Sequence, residues 1–333
     1  MNFMLDIAIP PAPGQISYAD RIMMMGSCFT EQIGSKLSKL KFQVLQNPNG
    51  ILFDPYGVCT ALETYIDRKI YQAQDLFYLN ELWQSWDHHS IYSGLEAGNV
   101  VETINKSINN AADFLKQANY LIVTLGSAFS YQLSEDGRAV ANCHRAPGQW
   151  FKKKLSGIEE IIQRFQSVMN RLNLFNPSLQ VIFTISPVRH IRDGVIENNR
   201  SKARLIEAVH ELVTNNANAN YFPAYELVID VLRDYRYYDI DLVHPNYPAT
   251  EFVFEHFLKT WMSREDLLIS DDIRNINNAF NHKPFQSETM AHKQFMGNYL
   301  QKVKEFRKKH PGIDLSEEEM YFASALVQNM NVP

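Results

Sequence analysis

The chain has 333 residues, 45% of them hydrophobic and 21% charged, with a formal net charge of −5. This is enough chain to bury a full core, in one large domain or one domain with an appendage, and the acidic balance leaves no electrostatic footprint for nucleic acid. Three cysteines, Cys28, Cys59 and Cys143, supply neither a disulfide framework nor a four-ligand zinc pattern, and no run of 18 apolar residues is present to span a membrane.

At the N-terminus, Pro10, Pro11, Pro13 and Gly14 interrupt what would be the apolar core of a signal peptide, so cytoplasmic residence is the expectation. The chain then alternates short apolar runs with amphipathic helical patterns, the sign of βαβ units and a parallel sheet. A first strand covers Arg21 to Gly26 and meets the turn Gly26-Ser27-Cys28-Phe29. The helix that follows carries Ile33, Leu37 and Leu40 on one face, with Thr30 or a neighbour as its cap. A second strand, Gln43 to Gln46, ends in Asn47-Pro48-Asn49-Gly50. After a helix over Pro55 to Arg68, the aromatic segment Phe77 to Tyr92 reads as a hairpin or a long loop over the sheet.

A helix over Val100 to Gln117 leads to a strong strand, Tyr120 to Leu125, closed by Gly126, and Phe129 to Cys143 reads as a hairpin turning at Ser134 to Gly137. The clearest helix bears Ile158, Ile161, Ile162, Phe165, Val168, Met169 and Leu172 at helical spacing. A buried strand, Val181 to Ile185, stops at Ser186-Pro187, and the next helix bears Leu205, Val209, Leu212 and Val213. Then come an extended piece at Tyr221-Phe222, a helix from Tyr225, the segment Asp239 to Pro245 and a helix over Ala249 to Met262. Beyond it the chain turns polar, with two or three helices and no strand signal. The expected division is a sheet domain over 1–263 and a helical extension over 264–333. The basic runs Lys152 to Lys154 and Arg307 to Lys309 are expected at solvated helix ends.

Two arrangements carry chemistry. A serine directly after an apolar strand and before a helix, as Ser27 is, leaves the carboxyl edge of a sheet, where open α/β sheets place their ligands. Helix N–H groups there favour developing negative charge. The same Gly-Ser pattern also serves as an ordinary capped turn. In Asp241-Leu242-Val243-His244-Pro245, a spacing of three lets a carboxylate fix the tautomer of a general base on one short turn. A satisfied surface histidine is the plain alternative.

Taken together, an early strand-end serine and a late Asp-x-x-His-Pro resemble the SGNH (GDSL-like) hydrolases. The match narrows to the GSCFA family, which Gly26-Ser27-Cys28-Phe29 resembles. Asn142-Cys143-His144-Arg145, Ser186-Pro187-Val188-Arg189-His190 and the stretch from Tyr221 through Tyr225-Glu226 to Asp234-Tyr235-Arg236 resemble it too. The resemblance implies a three-layer α/β/α flavodoxin-like sheet and ester hydrolysis or acyl transfer through an acyl-enzyme. Ser27 would then be nucleophile, His244 base and Asp241 its orienter. It implies an oxyanion hole from the Ser27 N–H, Gly50 and an Asn side chain. The usual Gly-x-Asn is replaced by Gly126-Ser127-Ala128, so Asn142 is the stand-in. Arg189 and His190 fall on the same edge, as binders of an acidic group or as parts of a structural pair.

Other polar groups read more plainly. Cys28 and Cys143 with His144 are weaker candidates for a thiol site, His88-His89 lack the spaced ligands of a metal site, and Glu226, Asp230 and Asp234 read as a solvated or Arg-paired helical face. The expectation is an enzyme without metal or cofactor, acting on a small-molecule or carbohydrate ester. The competing expectation is a non-catalytic binding or scaffold protein on the same fold, which the missing Gly-x-Asn favours.

Overall fold

A computed structural model of the chain describes residues 4–327; the last six residues of the expected extension, 328–333, lie outside the described residues. Strands β1 (Arg21–Gly26), β2 (Gln43–Gln46), β5 (Tyr120–Leu125), β9 (Gln180–Ile185) and β10 (Ala219–Tyr221) form one parallel sheet in the order β10-β9-β5-β1-β2. This is the flavodoxin-like winding, and the strand order reverses between β1 and β5, so a crevice opens at their carboxyl ends. Gly26 pairs with Thr124 in that central register, and Thr124 with Thr184.

The pleat explains the layers. On β1, Ile22 and Met24 enter one hydrophobic cluster while Met23 and Met25 enter the other, and on β5 Ile122 is set against Leu121 and Val123 in the same way. Helices α2 (Pro55–Asp67), α3 (Ala97–Gln117), α4 (Ile158–Phe175) and α5 (Val195–Asn215) cover one face. Helices α1 (Cys28–Lys39), α6 (Ala224–Glu226, continued as a π-turn over Leu227–Leu232) and α7 (Tyr247–Trp261) cover the other. Three further helices, α8 (Arg264–Phe280), α9 (Met290–Lys309) and α10 (Ser316–Val327), join that second cluster through Ile273, Ile276, Val303, Phe306 and Phe322, with Leu315 just before α10. Among the described residues, no helix is long and apolar enough to cross a membrane.

Two small antiparallel sheets sit outside the parallel one. Strands β3 (Phe77–Leu79) and β4 (Leu82–Gln84) make a hairpin turning through Asn80 and Glu81, both at positive φ, which resolves the aromatic segment as a hairpin. Strands β6 (Phe129–Leu133) and β7 (Ala139–Val140) form the expected second hairpin, with β8 (Phe151–Leu155) paired along its other side. Lys152 to Lys154 therefore lie on β8 and not at a helix end. Three exposed lysines on an edge strand discourage further pairing. The run Arg307 to Lys309 does close a helix, α9, as expected.

The cap of α1 is Ser27 rather than Thr30, and its side chain makes no capping bond. The π-turn also breaks the expected i, i+4, i+8 face. Glu226 accepts from the Tyr221 hydroxyl, and the helix stops at Arg233 in the left-handed region before Asp234 is reached.

Candidate active site

The carboxyl edge of the sheet is built around β1. Gly26 leaves the strand at φ 138°, and a Cβ there would meet the Thr124 carbonyl oxygen at 2.1 Å, so only glycine lets β1 and β5 approach this closely. Asn47 clamps the turn after β2 onto the same spot. Its N–H donates to Met24 O at 2.8 Å, and its Oδ1 accepts from Gly26 N at 2.9 Å. Leu52 N then donates to Gly26 O, and Gly126 N to Phe53 O, so residues 52–53 run across the ends of β1 and β5.

Ser27 sits at the head of α1, 2% exposed, and its Oγ has no hydrogen-bond partner among the described residues. Beside it, burial pushes the Cys28 thiol pKa up, which keeps the sulfur protonated and weakens a thiolate reading. The late motif forms as a closed turn. Asp241 Oδ1 accepts from the N–H groups of Val243 and His244, and Oδ2 meets His244 Nδ1 at 2.6 Å. The backbone and side-chain donors of His244, with the Val243 N–H, hold the Asp241 carboxyl down at about 2. With its proton on Nδ1, facing Asp241, the imidazole keeps Nε2 as a free acceptor, the tautomer a general base requires.

Arg189 ties this turn to the sheet, its N–H donating to Val243 O at 3.2 Å from the loop that follows β9. Ser27 and His244 thus share the carboxyl edge, and no hydrogen bond joins them. His190 lies between neighbouring elements of that edge. Its N–H donates to Asn198 Oδ1, its ring faces Phe53 at 5.5 Å, and its Nε2 is buried against Gly126 without a partner among the described residues. Burial, with help from nearby Lys202 and His244, lowers its pKa to about 4, so the ring is neutral at ordinary pH.

The expected oxyanion donors are not assembled. The Ser27 N–H donates to Thr124 O at 3.1 Å, prolonging the β1–β5 ladder, and the Gly50 N–H closes its own turn on Asn47 O at 2.7 Å. Asn142 accepts from His144 N and lies instead on a cavity of about 750 Å³, whose wall also includes His190, Phe53, Phe129, Phe151 and Arg192. Ser27, Gly50, Arg189 and His244 are not among the residues lining it. A second cavity, of about 410 Å³, lies between the β3–β4 hairpin and the β6–β8 sheet, with Phe77, Tyr78, Trp86 and Trp150 on its wall. Trp86 belongs to this wall, and its ring also contacts His144 and Phe151 of the larger cavity. Among the described residues, no group of three His, Cys, Asp or Glu side chains could hold a metal ion.

One residue of this edge escapes sequence reasoning altogether. Lys202 of α5 is 1% exposed, and its ammonium donates at 2.6 Å to the carbonyls of both Gly126 and Ser186. Its neighbours on the helix act alike. Ser201 Oγ accepts from Ala128 N at 2.7 Å, and Asn198 holds His190. The available signal is positional: residues 198, 201, 202, 205, 209 and 212 share one helical face, so a lysine stands on the apolar stripe.

Comparison with known proteins gives the family. The GSCFA family model matches residues 21–257, and that of the GSCFA domain protein, C-terminal domain, matches 273–328. No curated protein sequence matches the chain. Among solved structures it is similar to an acetyl xylan esterase (Est2A) from the rumen bacterium Butyrivibrio proteoclasticus, at 11% identity and a TM-score of 0.37. That likeness covers 76% of this chain and 66% of the esterase, so the chain spans just under two thirds of its length. It is similar also to a carbohydrate esterase family 3 from Talaromyces cellulolyticus, at 11% identity and a TM-score of 0.34, over 76% of this chain and 99% of that one.

Proposed function

We propose that this chain, which belongs to the GSCFA family, is a serine-dependent esterase or acyltransferase that works through an acyl-enzyme on Ser27. The observation that carries the reading is the Asp241–His244 turn, with Nδ1 engaged at 2.6 Å and Nε2 left free, on the same sheet edge as Ser27 at the reversal of strand order. Ser27 Oγ attacks the ester carbonyl as His244 Nε2 takes its proton, and the alcohol leaves with that proton. Water or an acceptor hydroxyl then releases the acyl group. Apo distances in such pairs are often long and tighten in the complex, so the missing Ser27–His244 bond is compatible with this role.

The oxyanion is best served by the head of α1, whose first-turn N–H groups Ser27 Oγ does not cap. An acylated carbohydrate is the favoured substrate class. It is supported by two neighbouring cavities that combine aromatic faces with polar edges.

The second reading, a binding protein without catalysis on the same fold, is favoured by one observation: Ser27 Oγ is sealed, and its N–H is committed to Thr124. A fluorophosphonate probe separates the two. Labelling of native protein that is lost in Ser27→Ala supports the nucleophile; folded wild-type protein that takes no label supports the binding reading.

A further inference from the structure

Lys202 is a charge where the helix pattern calls for an apolar side chain. It lies under the carboxyl edge with no carboxylate paired to it among the described residues. The groups that face it are Cys28 at the head of α1, Arg189 and His190 after β9, and the Tyr225 ring, 5.9 Å from the ammonium. Burying an ammonium without a counter-ion is costly, and well-packed apolar residues usually serve stability better at such a site. Burial, with Arg189 close by, draws the pKa of Lys202 down to about 7.

What the position offers is a positive pole that is full below about pH 7 and fades above it. The two carbonyls aim the ammonium between the loops after β5 and β9, and its charge is felt at Cys28, the residue after Ser27. We propose that Lys202 is a positioning residue of the Ser27 site: it locks the loops at Gly126 and Ser186 in register and presents positive potential to Ser27 as negative charge develops there. Preorganised charge in a dry setting needs no reorganisation at the moment of reaction. The inference rests on the reading of Ser27 as nucleophile.

The test is the rate of fluorophosphonate labelling of Ser27 between pH 6 and 9 in wild type, K202Q and K202R, with circular dichroism of each. Gln keeps an N–H for the carbonyls and drops the charge, whereas Arg keeps the charge. At pH 6, K202Q is expected to label about tenfold to a hundredfold more slowly, and K202R to recover most of the loss. The gap to K202Q should narrow as pH rises and the wild-type ammonium loses its proton; a merely structural role would leave that gap constant. Equal rates, or a gap independent of pH, overturn the inference.

If K202Q fails to fold, K202R decides. Its non-titrating charge should raise its rate relative to wild type between pH 7 and 9, and parallel profiles overturn the proposal. Folded wild type that takes no label at any pH defeats the Ser27 reading itself, and this inference with it. Labelling that ignores Lys202 defeats only the inference.

Discussion

At Ser27 the same hydroxyl fits an ordinary turn and a nucleophile. The hydroxyl is buried and unbonded, an arrangement with a desolvation cost and no compensating contact. If it attacks esters with His244 as base, Ser27→Ala and His244→Ala should each lower kcat by about 10³- to 10⁶-fold. Turnover of an activated acetyl ester measures this, and a loss below about tenfold would point to another mechanism. Asp241 allows a sharper expectation. Its carboxyl is held at about 2, so it stays ionised as pH falls from neutral toward 3. Asp241→Asn should therefore lower the whole kcat/KM profile over that range, by about 10⁴-fold, rather than shift a limb of it. At this scale the sequence was most legible where chemistry is local: Asp241 and His244 meet because three residues of turn suffice. It was least legible for Ser27 N–H and Gly50 N–H, whose partners Thr124 and Asn47 are chosen by strand register and turn closure rather than by the motif.

Among the elements, α2 and α5 hold the loops around the site. The head of α2 is capped by Asp54, whose Oδ1 accepts from Tyr56 N and Gly57 N. Asp54→Ala should cost about 1–2 kcal/mol in urea unfolding, while Asp54→Asn keeps the cap. Burial raises the folded pKa of Asp54 to about 6, above its value of 3.8 in the unfolded chain. Its protonated form therefore contributes stability that is complete below pH 3.8 and lost as pH rises through 6. Wild type should lose stability relative to Asp54→Asn between pH 4 and 7, and equal midpoints across that range would refute the assignment. For α5, apolar spacing gave the helix correctly and hid its purpose, because Asn198, Ser201 and Lys202 look like interruptions of a stripe until the loops they hold are in view. The run Lys152 to Lys154 misled for a related reason: charge density says solvent, and both helix ends and edge strands offer it.

Over the whole molecule, alternation of strand and helix sufficed for the parallel sheet, because strands buried on both faces read as unbroken apolar runs such as Ile22 to Met25. The C-terminal helices were legible as helices, with packing on the core one of the roles left open. Lys41 pairs with Glu318, Asn277 donates to Lys39 O, and Tyr18 bonds Ser270, so this region braces α1 from behind. Deleting residues 264–333 should uncover Phe42, Leu40 and Trp261, all of the shared cluster, and yield protein that aggregates or melts at least about 10 °C lower. A truncated chain with unchanged Tm would show the extension to be independent.

That bracing bears on how the protein is made. The helix capped by Ser27 is synthesised well before the groups that hold its back, which lie 215 to 238 positions later. The strand before it must also wait for β5 to become its neighbour. Folding governed by such distant contacts is expected to be slow, with a half-synthesised chain presenting apolar surface without a finished site. If Ser27 is the nucleophile, its activity should appear only once these distant segments have been made, as an all-or-none property of the finished molecule.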